Sequence, residues 1–385
     1  MAQPIMGQKE LKAQVQDTGL CTGCGACVNL CPYQVFYRDR TIVLNPCDIA
    51  AGRCHAFCPR TPVDLGVLRE RFFDASEFTP EIGPLKAFYI TRAADARLRR
   101  QAQHGGTVSA LMSLALHEGL VDAAVVADGG DPLTHQGTTV HQPEEIRKHA
   151  KSRFIISPTI AEFNLTAKGH ARRIGVVATP CQAFSLAKMR LKPKLSSGDN
   201  PIDKLTLVIG LFCGFTLDRA KLIDLLQGRT GLDAITGMEI PPGKGVLEVY
   251  SDDGVLQCPM EEVAPLMREG CRYCIDTTAE YADLSVGSAR LPEGWDVTRF
   301  WNQVVVRTQT GLELMERARD SGVLEFRDVP EGGLKALKAA AVKKKKEAVK
   351  NLMEKSGKAD DLLYLDAQDD VVAAWREGGN HVETT

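Results

Sequence analysis

Short apolar runs alternate with longer, helix-spaced segments through most of this chain. Ala87–Thr91, Ala123–Ala127, Ile174–Ala178 and Thr206–Leu211 read as buried strands. Thr107–Glu118, Pro143–Ala150, Thr159–Lys168 and Asp218–Gln227 read as helices between and after them. That alternation predicts an α/β body with helices packed on a sheet, starting near Lys86 and ending near Arg327. A more β-like stretch follows at Val246–Tyr250, Val255–Pro259 and Gln303–Arg307. Leu334 to Met353 is rich in Ala, Lys and Leu and predicts a basic amphipathic helix, with Lys343–Lys346 at its middle on a solvated face. The acidic tail beyond Asp360 is expected to be mobile.

The N-terminal stretch has no such periodicity. Residues 1–15 are polar, and residues 16–62 hold seven of the twelve cysteines. A connector, 63–85, carries the charged run Arg69-Glu70-Arg71 and ends in the breaker Ile82-Gly83-Pro84. With 385 residues the chain has room for two or three domains. Its net charge of -2 gives no bulk argument for nucleic acid, and 6% aromatics weaken a base-stacking platform. No apolar stretch is long enough to cross a bilayer, and the first residues lack a signal-peptide core. The expectation is a cytoplasmic protein docked on larger partners, in which clustered cysteines mean metal or redox chemistry rather than disulfides.

The first arm of the cysteine unit reads Cys21-x2-Cys24-x2-Cys27-x3-Cys31-Pro32. Thiolates at these offsets wrap one iron–sulfur cubane, while the distant cysteine reaches a second cluster. Gly23 and Gly25 permit the tight backbone this needs. A zinc knuckle is the alternative, disfavoured by the terminal Cys-Pro. The second arm, Cys47-x6-Cys54-x3-Cys58-Pro59, is imperfect, because Ala51 stands where a cysteine would complete it. Crossed-arm logic gives Cys21, Cys24, Cys27 and Cys58 to one 4Fe-4S cluster. Cys31, Cys47 and Cys54 remain for the other. That second cluster is either 3Fe-4S, or 4Fe-4S with a substitute ligand such as Asp48 or His55, or missing from a degenerate arm.

Five cysteines lie in the body. Cys181 and Cys213 each follow a strand, and strand ends on one side of an α/β sheet are where ligands bind. Cys271-x2-Cys274 supplies two adjacent thiolates after Gly270. Together they make four ligands, for a cubane or for zinc. Cys258 reads as packing. Gln103-His104-Gly105-Gly106-Thr107-Val108-Ser109 opens a helix whose amides could meet a phosphate or a flavin ring, although many helices simply start after Gly-Gly. It is not a dinucleotide fingerprint.

These features combine into a family pattern. Gln103-x-Gly105-Gly106-x-Val108, Ser157-Pro158, Thr179-Pro180-Cys181-Gln182 and Cys213 carry its first half. Gly270-Cys271-x2-Cys274-x-Asp276, Ala282 to Ser288, Gly294-Trp295 and Val305-Val306-Arg307-Thr308 carry the second. The chain from about 86 to 350, including the basic helix after Gly332-Gly333-Leu334, resembles the beta subunits of coenzyme F420-reducing hydrogenases and dehydrogenases. The resemblance implies an α/β (α+β) flavoprotein core at 86–330, preceded by a small ferredoxin-like iron–sulfur domain at 1–62 and followed by the basic helix and tail at 331–385. It implies a 4Fe-4S cluster on Cys181, Cys213, Cys271 and Cys274. It implies FAD against Gly105, Gly106, Thr107 and Val108, against Ser152, Arg153 and Ser157, and against Thr179.

The implied activity is oxidoreductase: hydride exchange with coenzyme F420 or another carrier at FAD, then single electrons through the clusters to or from partner subunits. Asp276, Asp283 and Trp295 match the motif but read as structural. One departure is His104, where relatives often carry an acidic residue; it is either a surface change or a sign of another hydride donor. Two further classes stand beside this one: an electron-transfer module linking partners, and a zinc-stabilised scaffold.

Overall fold

The computed structural model describes residues 6–134, 136–191 and 201–376. Eight strands form its central sheet: β1 (Ala87–Ala93), β2 (Ala123–Ala127), β3 (Gly137–Val140), β4 (Ile174–Ala178), β5 (Leu205–Leu211), β6 (Leu284–Ser288), β7 (Asn302–Val306) and β8 (Leu324–Arg327). Across the sheet they run β8-β1-β7-β6-β5-β4-β2-β3. The inner pairs β6–β5, β5–β4 and β4–β2 are parallel, and the outer pairs are antiparallel. This is the expected mixed α/β fold.

Alternate residues of each strand serve opposite faces, as the two-residue period requires. On β2, Ala124 and Val126 join the core beneath the helices Thr107–His117 and Gln309–Asp320. Ala123 and Val125 join the core beneath Thr159–Thr166 and Pro180–Leu191. A smaller antiparallel sheet, Ile235–Glu239, Val246–Ser251 and Gly254–Pro259, packs with Leu222 and Leu226 into a core of its own. Cys258 is fully buried there, as packing.

The cysteine unit is built on the body rather than tethered to it. Its hairpin pairs Gln34 with Val43 and Tyr37 with Arg40. Gly23 and Gly25 take positive φ, 68° and 86°, and a Cβ at Gly25 would lie 2.8 Å from the Ala161 nitrogen. Cys24, Ala26, Ala56 and Phe57 enter the same core as β4 and the helix Pro180–Leu191. Asn29 donates to the Ala161 carbonyl at 2.9 Å, and Asn164 donates to the Val28 carbonyl at 2.8 Å.

Two expectations for the C-terminus are corrected. The basic helix exists, as Gly333–Ser356, but of its lysine run only Lys343 is exposed. Lys345 is 1% exposed, ion-paired to Glu280 and set 4.5 Å above the Trp375 ring. Lys344 donates to the Cys213 and Gly214 carbonyls at 2.8 and 2.7 Å. Nor is the segment after Asp360 loose. Leu362, Tyr364, Leu365, Val372 and Trp375 are buried, in one core with Leu65 and Leu68 of the connector helix Leu65–Phe72. Tail residues 377–385 lie outside the described residues. No helix among the described residues is long and apolar enough to cross a membrane.

Candidate redox site

Parallel β4 and β5 deliver Cys181 and Cys213 side by side. Cys181 enters at the start of the helix Pro180–Leu191, and Cys213 lies two residues beyond β5. The turn Glu269–Cys271 and the following loop bring Cys271 and Cys274 against them, so that all four thiols line one small cavity. Asp276 holds this loop by accepting from the Thr278 and Glu280 amides, each at 2.8 Å. Asp283 ties β6 to β5 by accepting from the Val208 amide at 2.7 Å.

Among the described residues no three His, Cys, Asp or Glu side chains converge on one point as a single metal ion requires. A zinc ion needs thiolates about 2.3 Å from a shared centre, whereas a cubane spreads its ligands around a larger body. Four thiols lining one cavity supply the ligand number that a cubane takes. Burial pushes the Cys181 and Cys213 thiols up. Burial acts on Cys274 too, but Lys344 and Arg60 outweigh it and hold that thiol below its ordinary value. Both cations line the cavity, where they would offset the negative charge of a thiolate-held cluster.

The cysteine unit reaches into this cavity through Thr22 and Arg60. Arg60 donates to the Gly270 carbonyl at 3.1 Å and to the Tyr364 hydroxyl at 2.8 Å. Burial, then Cys181, then Cys58 push the Cys24 thiol up. Burial dominates at Cys27 also, with Cys24, Cys21 and Cys58 adding to it. Cys58 is pushed up to about 12, chiefly by burial, against the Lys188 ammonium. Cys21, Cys24, Cys27 and Cys58 are therefore electrostatic neighbours, and Cys24 borders the body thiols. Cys54 is pushed up to about 11 by burial, with Cys31 and Cys47 adding to it. Cys24 thus lies near both Cys58 and Cys181, and Cys54 near Cys31 and Cys47. Asp48 is exposed, and His55 is 4% exposed, 3.4 Å from Gln14 Oε1 through Nε2.

A second cavity, of about 510 Å³, opens beside the first, and Cys213 and Thr179 line both. Its wall includes Gly106, Thr107, Val108, Ser152, Arg153 and Ser157. Gly105 is not part of that wall. It is buried behind the turn, where a Cβ would lie 2.7 Å from Asn302 Oδ1, and that same oxygen accepts from the Thr107 amide at 3.2 Å. Gly106 takes φ 78° as the helix starts. Gln103 Oε1, His104 Nδ1, Ser157 Oγ and Thr159 Oγ1 are buried without a hydrogen-bond partner among the described residues, and all four residues line the cavity. Native structures rarely leave such atoms unsatisfied. A polar, ring-bearing cofactor such as a flavin fits this wall of unspent polar atoms and apolar side chains.

Glu239 was not foreseen. It ends the first strand of the small sheet, is 7% exposed, and lies 3.9 Å from His104 Nε2. Burial raises Glu239 to about 7 and lowers His104 to about 4, so both are largely neutral between those values. Trp295 closes on His104 edge to face at 5.9 Å. No motif marks Glu239. Its only signal is a carboxylate at the end of a short strand, Ile-Thr-Gly-Met-Glu, without clear alternation.

Comparison with known proteins agrees with this architecture. Two family models describe the N-terminal and C-terminal parts of the coenzyme F420 hydrogenase/dehydrogenase beta subunit, and they match residues 88–162 and 171–332 respectively. A 4Fe-4S binding domain model matches residues 15–37. The coenzyme F420 hydrogenase subunit beta of Methanosarcina barkeri is 30% identical over 283 residues, 72% of this chain and 94% of that one. The F420-dependent formate dehydrogenase subunit beta of Methanocaldococcus jannaschii is 25% identical over 301 residues, 76% of this chain and 73% of that one. A chain from the F420-reducing [NiFe] hydrogenase complex of Methanosarcina barkeri superposes with a TM-score of 0.65 at 29% identity, over 72% of this chain and 94% of that one. The chain thus belongs to the coenzyme F420 hydrogenase/dehydrogenase beta subunit family, an oxidoreductase family, and carries a 4Fe-4S binding domain at its N-terminal end.

Proposed function

We propose that this chain exchanges a hydride with coenzyme F420 at a flavin, FAD, held in the 510 Å³ cavity, and passes electrons singly through 4Fe-4S clusters to or from partner redox subunits. The observation that carries the reading is the shared wall: Cys213 and Thr179 line both the large cavity and the four-cysteine cavity. Bound flavin takes up an electron pair and gives it up one electron at a time, which iron–sulfur clusters require. The chain's own residues would do the rest. Gly106 would present its backbone at a helix start, in a turn that Asn302 fixes by accepting from the Thr107 amide. Ser157, Thr159 and Gln103 offer unspent polar atoms. Cys181, Cys213, Cys271 and Cys274 would hold the nearer cluster, with Arg60 and Lys344 balancing its charge. Cys21, Cys24, Cys27 and Cys58 would hold the next, and Cys31, Cys47 and Cys54 the last.

Anaerobic mixing of the purified chain with reduced coenzyme F420, NADH and NADPH in turn tests this. Bleaching of the flavin by reduced coenzyme F420 is expected. Bleaching by a nicotinamide alone would reassign the carrier, and no bleaching by any donor would leave a module that only wires its partners together.

A further inference from the structure

A basic pocket of about 720 Å³ adjoins the large cavity and is not used by the chemistry above. It is lined by Arg97, Arg100 and Gln101, by Gly129, and by Arg147, Lys148 and Lys151. Among the described residues five cations and no carboxylate line this space, in a chain whose net charge is -2. Their side chains are mostly unspent. Among the described residues Arg97, Arg100 and Arg147 have no carboxylate partner. Lys148 has only Glu145, at 3.6 Å with both side chains well exposed. Lys151 donates to the Thr236 carbonyl at 2.7 Å. Arg99, in the same helix Ala96–Gln101 as Arg97 and Arg100, is by contrast paired to Glu325 and bonded to the Ala93 carbonyl. Like charges gathered without counter-charge repel one another, and the arrangement is relieved by a bound anion.

The pocket is an extension of the large cavity. The segment Arg97–Gln101 continues directly into Ala102, Gln103 and His104, which line that cavity. Lys148 is followed by His149 and Ala150, which line it too, and Lys151 lines both spaces. Gly129 has room for no side chain: a Cβ there would lie 1.8 Å from the Lys148 carbonyl oxygen, so the strand end and the Arg147–Lys148 turn are locked together. The buried polar atoms of the large cavity suit a resident group. The exposed arginines and lysines of this pocket suit a ligand that comes and goes.

We infer that the pocket holds the anionic tail, of phosphate or carboxylate groups, of the soluble carrier whose ring enters the large cavity. This rests on the carrier reading above and adds the recognition element. Its test uses the full, cofactor-loaded chain and two double variants, Arg97→Gln/Arg100→Gln and Arg147→Gln/Lys148→Gln. With a carrier that bears its charged tail, each double variant should raise KM by roughly tenfold or more, with kcat unchanged, because two charge-assisted contacts are lost. With the same ring lacking its tail, wild type and variants should be alike. Rising salt should raise KM in wild type and much less in the variants.

A second arm does not depend on hydride transfer. Calorimetric titration with inorganic pyrophosphate at low salt should show binding to wild type and little to either variant. Equal losses with tailed and tail-less carriers, or no pyrophosphate binding by wild type, overturn the inference. So does loss of flavin from the variants, since the pocket would then serve the flavin's own phosphates. If no carrier reduces wild-type flavin, the carrier reading fails, and the titration alone decides whether this is an anion site.

Discussion

Glu239 and His104 show how much a single pair of side chains can set. Burial holds the Glu239 carboxyl at about 7 in the folded chain, against an ordinary 4.5. The folded state therefore keeps this proton longer than the unfolded state does, and stability falls as pH rises from 4.5 to 7. Glu239→Gln should be more stable than wild type by a margin that grows across that window to roughly 3 kcal/mol, at about 1.4 kcal/mol per unit. His104 has the opposite sign. Its folded value near 4 lies below the ordinary 6.5, so stability is lost as pH falls from 6.5 to 4, and His104→Gln should gain on acidification. Urea melts of the flavin-free chain across this range check both; a margin for Glu239→Gln that does not change with pH contradicts the first. None of this was legible beforehand, because Glu239 belongs to no spaced motif and its burial comes from a sheet pairing, Glu239 opposite Glu248. The cysteines were legible for the opposite reason. Their ligand spacing is local, two or three residues, and needs no knowledge of the fold.

Among the elements, the helix Gly333–Ser356 carries the largest surprise. Its Ala, Lys and Leu composition announced a helix but not which lysines go inside. Lys345 is buried only because Glu280 and Trp375 arrive from elsewhere in the chain. Removing one member of a buried ion pair costs about 3–5 kcal/mol, whereas replacing both can be nearly neutral. Lys345→Met should therefore be strongly destabilised, and Lys345→Met/Glu280→Gln should recover most of the loss. A chemical-denaturation double-mutant cycle checks this, and additive losses would mean that the pair does not act as one unit. Strands β2, β4 and β5 were readable as unbroken apolar runs because both their faces are covered. β3, with its Gly-Thr-Thr-Val sequence at the sheet edge, carried no such run and went unread.

For the whole molecule, the question is how the cysteine unit meets the body. Sequence spacing assigned thiols to groups but said nothing of where the groups sit. That is fixed by distant contacts such as Asn29 with Ala161 and Arg60 with Tyr364, separated by 132 and 304 positions. The large cavity borders the four body thiols through Cys213, and Cys24 of the cysteine unit borders them in turn, near Cys181. With three or four irons in each cluster, a filled second arm gives about eleven or twelve irons per chain and an empty one about eight. Cys54 sits among Cys31 and Cys47, so the higher count is expected, and Cys54→Ser should lose about three or four. Iron and acid-labile sulfide assays read this directly.

The shared wall at Cys213 is the centre of the account, and a single-turnover experiment tests it most directly. Anaerobic wild-type chain is mixed with reduced coenzyme F420, and the flavin and iron–sulfur absorbances are followed together. The expected result is flavin bleaching followed by cluster bleaching in wild type, and flavin bleaching alone in Cys213→Ser with about four irons fewer. Unchanged cluster reduction in Cys213→Ser, or clusters that stay oxidised in wild type while the flavin bleaches, would contradict it.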